Sequence, residues 1–147
     1  MQPKSYIYTK PKLEEDTKMK FGTVINCIDG RVQIPVMEYL KNNFEPEFFD
    51  TANEAGPLKI LTERTDKCRL FSLKEQITTS VEVRKGEILA LVGHHDCIGN
   101  PVDRKRQEEQ IHEALGYLKN AYGDEILYVG LYVNEKWEVE EIARLGL

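Results

Sequence analysis

Cysteine and histidine are both scarce in this chain of 147 residues, which contains three of each. The cysteines are Cys27, Cys68 and Cys97, and an odd number without an export signal argues against a framework of disulfide bonds. In a reducing compartment, cysteines that lie near histidines are more often metal ligands than disulfide partners. These few residues are therefore the first candidates for a functional site.

Long apolar runs and an excess of positive charge are absent as well. The longest apolar runs are far too short to span a bilayer, and the first five residues contain no apolar signal core. We therefore expect a cytoplasmic protein without a membrane partner. The formal net charge of -5 does not favour a nucleic-acid partner, and the basic run at 104–106 is followed after one residue by Glu108 and Glu109, as in a solvated helix face.

The length and composition predict one globular domain. A chain of 147 residues can bury a real core but is too short for two comfortable domains, and 41% hydrophobic and 31% charged residues are ordinary values for a globular protein. The first twenty residues are polar, contain two prolines and show no core pattern. We expect an N-terminal arm over residues 1–20 and a single α/β domain over residues 21–147.

Strand-like and helix-like segments alternate along the predicted domain. Short β-branched or apolar runs predict strands at 21–27, 47–52, 88–93 and 125–133, with 137–142 as an edge strand. Between them, apolar spacing predicts a helix with Pro35 in its first turn, a helix capped by Ser72, and a helix that begins at Asn100 and ends at Gly123. The stretch 58–71 is ambiguous.

This alternation predicts a mostly parallel sheet of about four to five strands in the order 2-1-3-4, flanked by helices on both faces. In that order the first and third strands are neighbours, and the chain leaves them in opposite directions. Ligands bind at such a switch point, beyond the carboxyl ends of the strands.

Metal-ligating groups follow both of these strands. The first strand ends in Cys27, followed by Asp29 and Arg31, and the third runs into His94 and Cys97. Zinc favours four ligands drawn from thiolate, imidazole and carboxylate. The sequence therefore predicts one zinc ion held by both cysteines and the histidine, with water or Asp29 as the fourth ligand. The alternative is a pair of buried structural cysteines beside a core histidine.

Arg31 can control which of those two fourth ligands is present. Its guanidinium can hold Asp29 through a two-pronged, charge-assisted pair and keep that carboxylate off the metal.

The two motifs, Cys27-x-Asp29-x-Arg31 and His94-x-x-Cys97, resemble those of the β-class carbonic anhydrases over about residues 21–133. The resemblance implies the family's α/β fold, zinc on the two cysteines and the histidine, and hydration of carbon dioxide to bicarbonate. It implies that Asp29 and Arg31 form a catalytic dyad, in which the aspartate either ligates zinc or pairs with the arginine. It also implies a homodimer or higher homo-oligomer, with the substrate pocket near the subunit interface.

The surroundings of the motifs depart from the family pattern. Gly30 stands where a serine is usual, and Asn53-Glu54-Ala55-Gly56 replaces an Arg-Asn-Ala-Gly element. Three functions therefore remain open: a zinc lyase acting on carbon dioxide, a zinc hydrolase of another small electrophile such as carbonyl sulfide or carbon disulfide, and a zinc-binding protein without turnover.

Four further residues are weighed against ordinary structural roles. His95 can carry a proton or serve as a structural hydrogen-bond donor, and Asp96 can either bond a backbone amide or support the site. His112 is expected to be exposed, and Cys68 to be an unligated thiol.

Overall fold

Five strands form the single sheet of the computed structural model, which describes residues 19–147. The predicted arm therefore lies outside the described residues, except for Met19 and Lys20. The strands are β1 (Phe21–Cys27), β2 (Phe48–Glu54), β3 (Ile88–His94), β4 (Leu127–Val133) and β5 (Val139–Leu145). Their order is β2-β1-β3-β4-β5, with parallel pairing throughout except for the antiparallel edge strand β5. The predicted fold class and strand order are confirmed.

Four α-helices flank this sheet within residues 19–147. They are α1 (Gln33–Asn43), α2 (Pro57–Glu63), α3 (Lys67–Thr78) and α4 (Arg104–Tyr122); a 3₁₀ turn (Gly30–Val32) precedes α1, and a π-helical turn (Thr79–Val83) follows α3. Of these described helices, none is both long enough and apolar enough to cross a membrane.

The two faces of the sheet carry separate hydrophobic cores. On one face, α1 contributes Val36 and Leu40; on the other, α2, α3 and α4 contribute a larger set that includes Leu61, Leu73 and Leu115. All seven residues of β3 are buried, because its alternating side chains enter both cores. The chain thus leaves β1 towards one face and β3 towards the other, which creates a switch point between them.

The predicted start of the second long helix was wrong. Ser72 is an exposed residue inside α3, whose N-cap is Asp66: the Asp66 Oδ1 atom accepts a hydrogen bond of 3.1 Å from the Arg69 N–H. The ambiguous stretch contains α2 and the start of α3, separated where Arg64 adopts a left-handed conformation. The helix extends this far upstream because Leu70 is buried in the core.

The predicted cap of the last helix was also wrong, since α4 begins only at Arg104. Its N-cap is Asp103, which accepts a hydrogen bond of 2.9 Å from the Arg106 N–H. Asn100 is instead buried, and its side-chain amide exchanges hydrogen bonds with that of Gln110. This amide pair anchors the loop that follows Cys97 to the body of α4.

Two glycines bring that loop against the end of β2. A Cβ atom on Gly56 would lie 2.4 Å from the carbonyl carbon of Gly99, and one on Gly99 would lie 2.5 Å from the carbonyl carbon of Ala55. Gly56 also has a φ of 66°, a conformation that side chains rarely adopt. This close approach places the turn after β2 beside the loop that carries Cys97.

We expect Gly56→Ala to lower the free energy of unfolding by about 2 kcal/mol or more, because the new methyl group meets backbone atoms that cannot yield and the backbone is strained. Gly116→Ala is the matched control. Apart from the neighbouring backbone of α4 itself, no atom lies within 4 Å of a Cβ placed there, so alanine in the interior of α4 should stabilise the protein by up to about 1 kcal/mol. Urea denaturation of both variants measures the difference, and equal stabilities would contradict this account of the glycine contact.

Candidate metal centre

A crevice opens between β1 and β3 at their carboxyl ends. Direct pairing of the two strands covers only Thr23–Ile25 against Leu89–Leu91, whereas β1 stays paired to β2 through Cys27 and β3 stays paired to β4 through His94. The last residues of β1 and β3 therefore face a gap rather than each other's backbone. This gap lies at the switch point of the sheet, where parallel folds bind ligands.

Cys27, His94 and Cys97 meet in this crevice. All three are buried, and their potential ligand atoms lie within 4.8 Å of one another. The two Sγ atoms are 3.9 Å apart, close to the separation of about 3.8 Å that two zinc-bound thiolates have in a tetrahedral site. The structure thus brings together the three residues predicted as metal ligands, in an arrangement that fits a zinc ion.

The imidazole of His94 is oriented for ligation. Its Nδ1 atom lies 2.7 Å from the carbonyl oxygen of His95, which can only accept a hydrogen bond, so Nδ1 carries the proton. Nε2 is then left with a free lone pair. Among buried side-chain nitrogen and oxygen atoms of residues 19–147, it is the one atom without a hydrogen-bond partner. Such an orphaned atom is costly in a core and is expected at a metal site.

Side-chain amides hold the backbone of these residues. Gln107 accepts a hydrogen bond from the His94 N–H at 3.0 Å and donates one to the His94 carbonyl at 2.7 Å. These bonds take the place of pairing with β1, which ends at Leu91. Gln33 and Asn53 donate to the Cys27 carbonyl at 2.8 and 3.3 Å. Sequence reasoning missed these amides. Gln107 could have been found from its position on the apolar stripe of α4, four residues before Ile111.

The two thiols influence each other's ionisation. The contact with Cys97 is the main cause that lowers the pKa of Cys27, while the same contact and burial raise the pKa of Cys97. Burial opposes protonation of His94, yet its proximity to Cys27 and its bond to the His95 carbonyl raise its pKa overall. Any added proton would lie on Nε2, the position from which a bound metal ion would displace it. The crevice thus already stabilises one thiolate, which is the form of cysteine that binds metal.

Asp29 and Arg31 form a two-pronged ion pair beside the cluster. Arg31 Nε lies 3.1 Å from Asp29 Oδ1, and Arg31 Nη2 lies 2.7 Å from Asp29 Oδ2. Asp29 also caps the 3₁₀ turn by accepting a hydrogen bond of 2.9 Å from the Arg31 N–H. The carboxylate is therefore held by arginine, outside the group of three clustered ligand atoms.

Most of the other residues singled out in the sequence lie at the surface. Cys68 and His112 are exposed on helices and do not belong to the cluster. His95 is exposed, and its ring lies 6.2 Å from that of Trp137, centroid to centroid. Asp96 forms an ion pair of 3.2 Å with Arg31. Trp137 was missed as a site neighbour, because nothing local in the sequence links it to Arg31.

The wall beside His94 and Cys97 includes the apolar residues Pro57, Leu58 and Val92, and the recess that they line has no space for a water-sized molecule in this structure. A separate cavity of about 230 Å³ lies beside α2 and the turn that follows it, and none of the three candidate ligands lines it. The three candidate ligands are therefore closed in on this side by apolar side chains.

Residues 17–143 match the profile of a protein family described as "Putative carbonic anhydrase". The chain belongs to this family. A comparison with curated proteins found no match.

Solved carbonic anhydrases share the fold of this family member at low sequence identity. One is from a study of two tetrameric β-carbonic anhydrases of the filamentous ascomycete Sordaria macrospora, with a TM-score of 0.60, 13% identity, and coverage of 88% of this chain and 84% of that chain. Another is a carbonic anhydrase from Glaciozyma antarctica, with a TM-score of 0.53, 17% identity, and coverage of 82% and 81%. At these identities the likeness concerns the fold.

The ion pair with Arg31 leads to a prediction about acid titration. Hydrogen bonds from Arg31 are the largest cause that lowers the pKa of Asp29 to about 2. Because the folded-state pKa lies below the unfolded value of about 3.9, the pair stabilises the protein above pH 4 and loses this effect as the pH falls towards 2. Carboxyl NMR should show Asp29 titrating near 2, and Arg31→Gln should raise that midpoint towards 4. A midpoint near 4 in the unmodified protein would contradict the pairing.

Proposed function

We propose that this protein hydrates carbon dioxide to bicarbonate, using a zinc ion held by Cys27, His94 and Cys97. The observation that carries the proposal is the buried cluster at the switch point, in which His94 Nε2 has no hydrogen-bond partner and lies near the thiols of Cys27 and Cys97. Membership of a carbonic anhydrase family and the likeness of the fold to solved carbonic anhydrases support it. A site with three protein ligands leaves one position open, as zinc enzymes require.

A zinc ion bound by these residues would supply Lewis-acid chemistry, which lowers the pKa of a water molecule in the open position. The net reaction adds water to the carbon of carbon dioxide, giving bicarbonate and a proton that leaves to solvent. Asp29 is ionised and oriented by Arg31, so it can accept a hydrogen bond from the attacking water and fix its direction. Asp29 and Arg31 are thus proposed as the catalytic dyad.

The apolar wall beside the cluster suits the chemistry of the proposed substrate. Carbon dioxide is small, linear and uncharged, and side chains such as Pro57, Leu58 and Val92 would offer it apolar contact next to the open metal position. Carbonyl sulfide and carbon disulfide share this shape and lack of charge, so the same wall supports a zinc hydrolase as the second candidate. Competition between these molecules and carbon dioxide in one assay separates the two functions.

We further propose a homodimer or a higher homo-oligomer. Ile28, Ile34 and Ile98 are exposed apolar residues, and Ile28 and Ile98 directly follow Cys27 and Cys97 in the chain. Exposed apolar side chains next to a site are typical of a surface that a partner covers. The two β-carbonic anhydrases of Sordaria macrospora, which share this fold, are tetrameric.

Replacement of one thiol tests the metal site. We expect Cys27→Ser to reduce the zinc content from about one ion per chain to a small fraction, because serine is a poor zinc ligand and only two protein ligands remain. Cys68→Ser is the matched control, since Cys68 is exposed and lies outside the cluster. Elemental analysis of both purified variants measures the zinc content per chain, and one zinc ion per chain in Cys27→Ser would refute the ligand assignment.

Stopped-flow hydration of carbon dioxide tests the reaction on protein of verified zinc content. We expect activity that rises from about pH 7 to 9, as the attacking water loses its proton more readily. Asp29→Ala should retain zinc and lose about 100-fold or more in kcat/KM, because the water loses its orienting group. No activity with zinc fully bound would exclude the hydratase, whereas unchanged turnover in Asp29→Ala would remove the dyad from the mechanism.

A further inference from the structure

The guanidinium of Arg31 has partners besides Asp29. Arg31 Nη1 lies 3.2 Å from Asp96 Oδ2, and Arg31 Nη2 lies 3.2 Å from the Asp96 backbone carbonyl. One face of the guanidinium covers the indole of Trp137, with 4.5 Å between Arg31 Cζ and the ring centroid. The arginine is thus bonded along its edge to two aspartates and stacked on an aromatic ring.

These additional contacts matter because Arg31 lies at the surface. Its side chain is 44% exposed, and an exposed ion pair by itself holds two side chains together only weakly. Stacking and bonds to a second carboxylate restrict the planar guanidinium far more than a single pair does. The orientation of Arg31, and through it that of Asp29, therefore depends on Asp96 and Trp137.

Both of these residues adopt left-handed backbone conformations, with φ of 56° for Asp96 and 60° for Trp137. This conformation is unfavourable for a bulky residue such as tryptophan and persists only where the surrounding structure enforces it. The β4–β5 turn provides that enforcement: the Trp137 N–H donates to the Asn134 carbonyl at 2.9 Å, and the Asn134 side chain accepts from the N–H groups of Lys136 and Glu138. The turn thus presents the indole to Arg31.

A released Asp29 would compete for the metal. Carboxylate oxygen is an accepted zinc ligand, Asp29 lies two residues from Cys27, and three protein ligands leave a fourth position open. We propose that Asp96 and Trp137 are positioning residues that hold Arg31 on Asp29 and so keep the Asp29 carboxylate out of the fourth coordination position. This inference rests on the proposed metal site.

Cobalt-substituted protein provides a readout other than catalysis. The visible absorption of cobalt(II) reports its ligands, and a titration with thiocyanate reports how freely an external ligand enters the open position. If Asp29 occupies that position in about two thirds of the molecules, the apparent affinity for thiocyanate falls about threefold, in proportion to the open fraction. We expect a loss of at least this size in Asp96→Gly and in Trp137→Leu.

Both substitutions are compatible with the local backbone. Glycine is favoured at the φ of Asp96, and leucine at position 137 meets the same constraint as the tryptophan it replaces. Asp96→Gly also removes a negative charge near the anion, which alone would strengthen thiocyanate binding. The weaker thiocyanate binding that we expect is therefore opposite in direction to the effect of the lost charge alone. Trp137→Phe retains an aromatic face and should restore most of the affinity lost in Trp137→Leu.

The decisive control is the Asp29→Ala background. There Asp96→Gly and Trp137→Leu should no longer weaken thiocyanate binding, because no carboxylate remains to enter the open position. Unchanged affinity in both single variants, or a loss that persists without Asp29, would overturn the positioning role. Failure of the unmodified protein to bind cobalt would overturn the proposed metal site together with this inference, whereas bound cobalt with an unchanged affinity would overturn this inference alone.

Discussion

The short parallel pairing between β1 and β3 is the constraint on which the candidate site depends. The two strands are joined only up to Ile25 and Leu91, and beyond that point each is held by its outer neighbour alone. Because α1 and α4 leave for opposite faces of the sheet, neither helix fills the gap between the strand ends. Residues from two distant parts of the chain, Cys27 and the loop at 94–97, therefore converge on a space that the fold leaves free.

Within this space, the buried polar side-chain atoms have hydrogen-bond partners in the protein, with the exception of His94 Nε2. Amide side chains bond the backbone of Cys27 and His94, and Arg31 bonds both oxygens of Asp29. Against this background, the unpartnered Nε2 of His94 lies in one cluster with two thiols that contact each other. A merely structural arrangement of cysteines would not require a histidine whose lone pair is left without a partner in a buried crevice. The contrast favours a site that is completed by a bound ion.

The parts of the fold and site that the sequence predicts correctly are those encoded by continuous local patterns. The apolar run of β3 and the two motifs behind β1 and β3 identify the sheet order and the cluster of three ligands. Helix starts were missed at Asp66 and Asp103 because Ser72 and Asn100 are equally good local caps, and burial of Leu70 and the pairing of Asn100 with Gln110 decide between them. The contact of Trp137 with Arg31 depends on where the antiparallel β5 hairpin docks, which no short segment encodes.

The separation of 70 residues between Cys27 and Cys97 has a consequence for the order of folding events. Contacts between distant parts of a chain form only after the entropy of closing the intervening loop has been overcome, and parallel strands require such closure by construction. The complete triad can exist only once β1 has docked beside β3, so an intact cluster marks molecules in which this part of the native topology has formed.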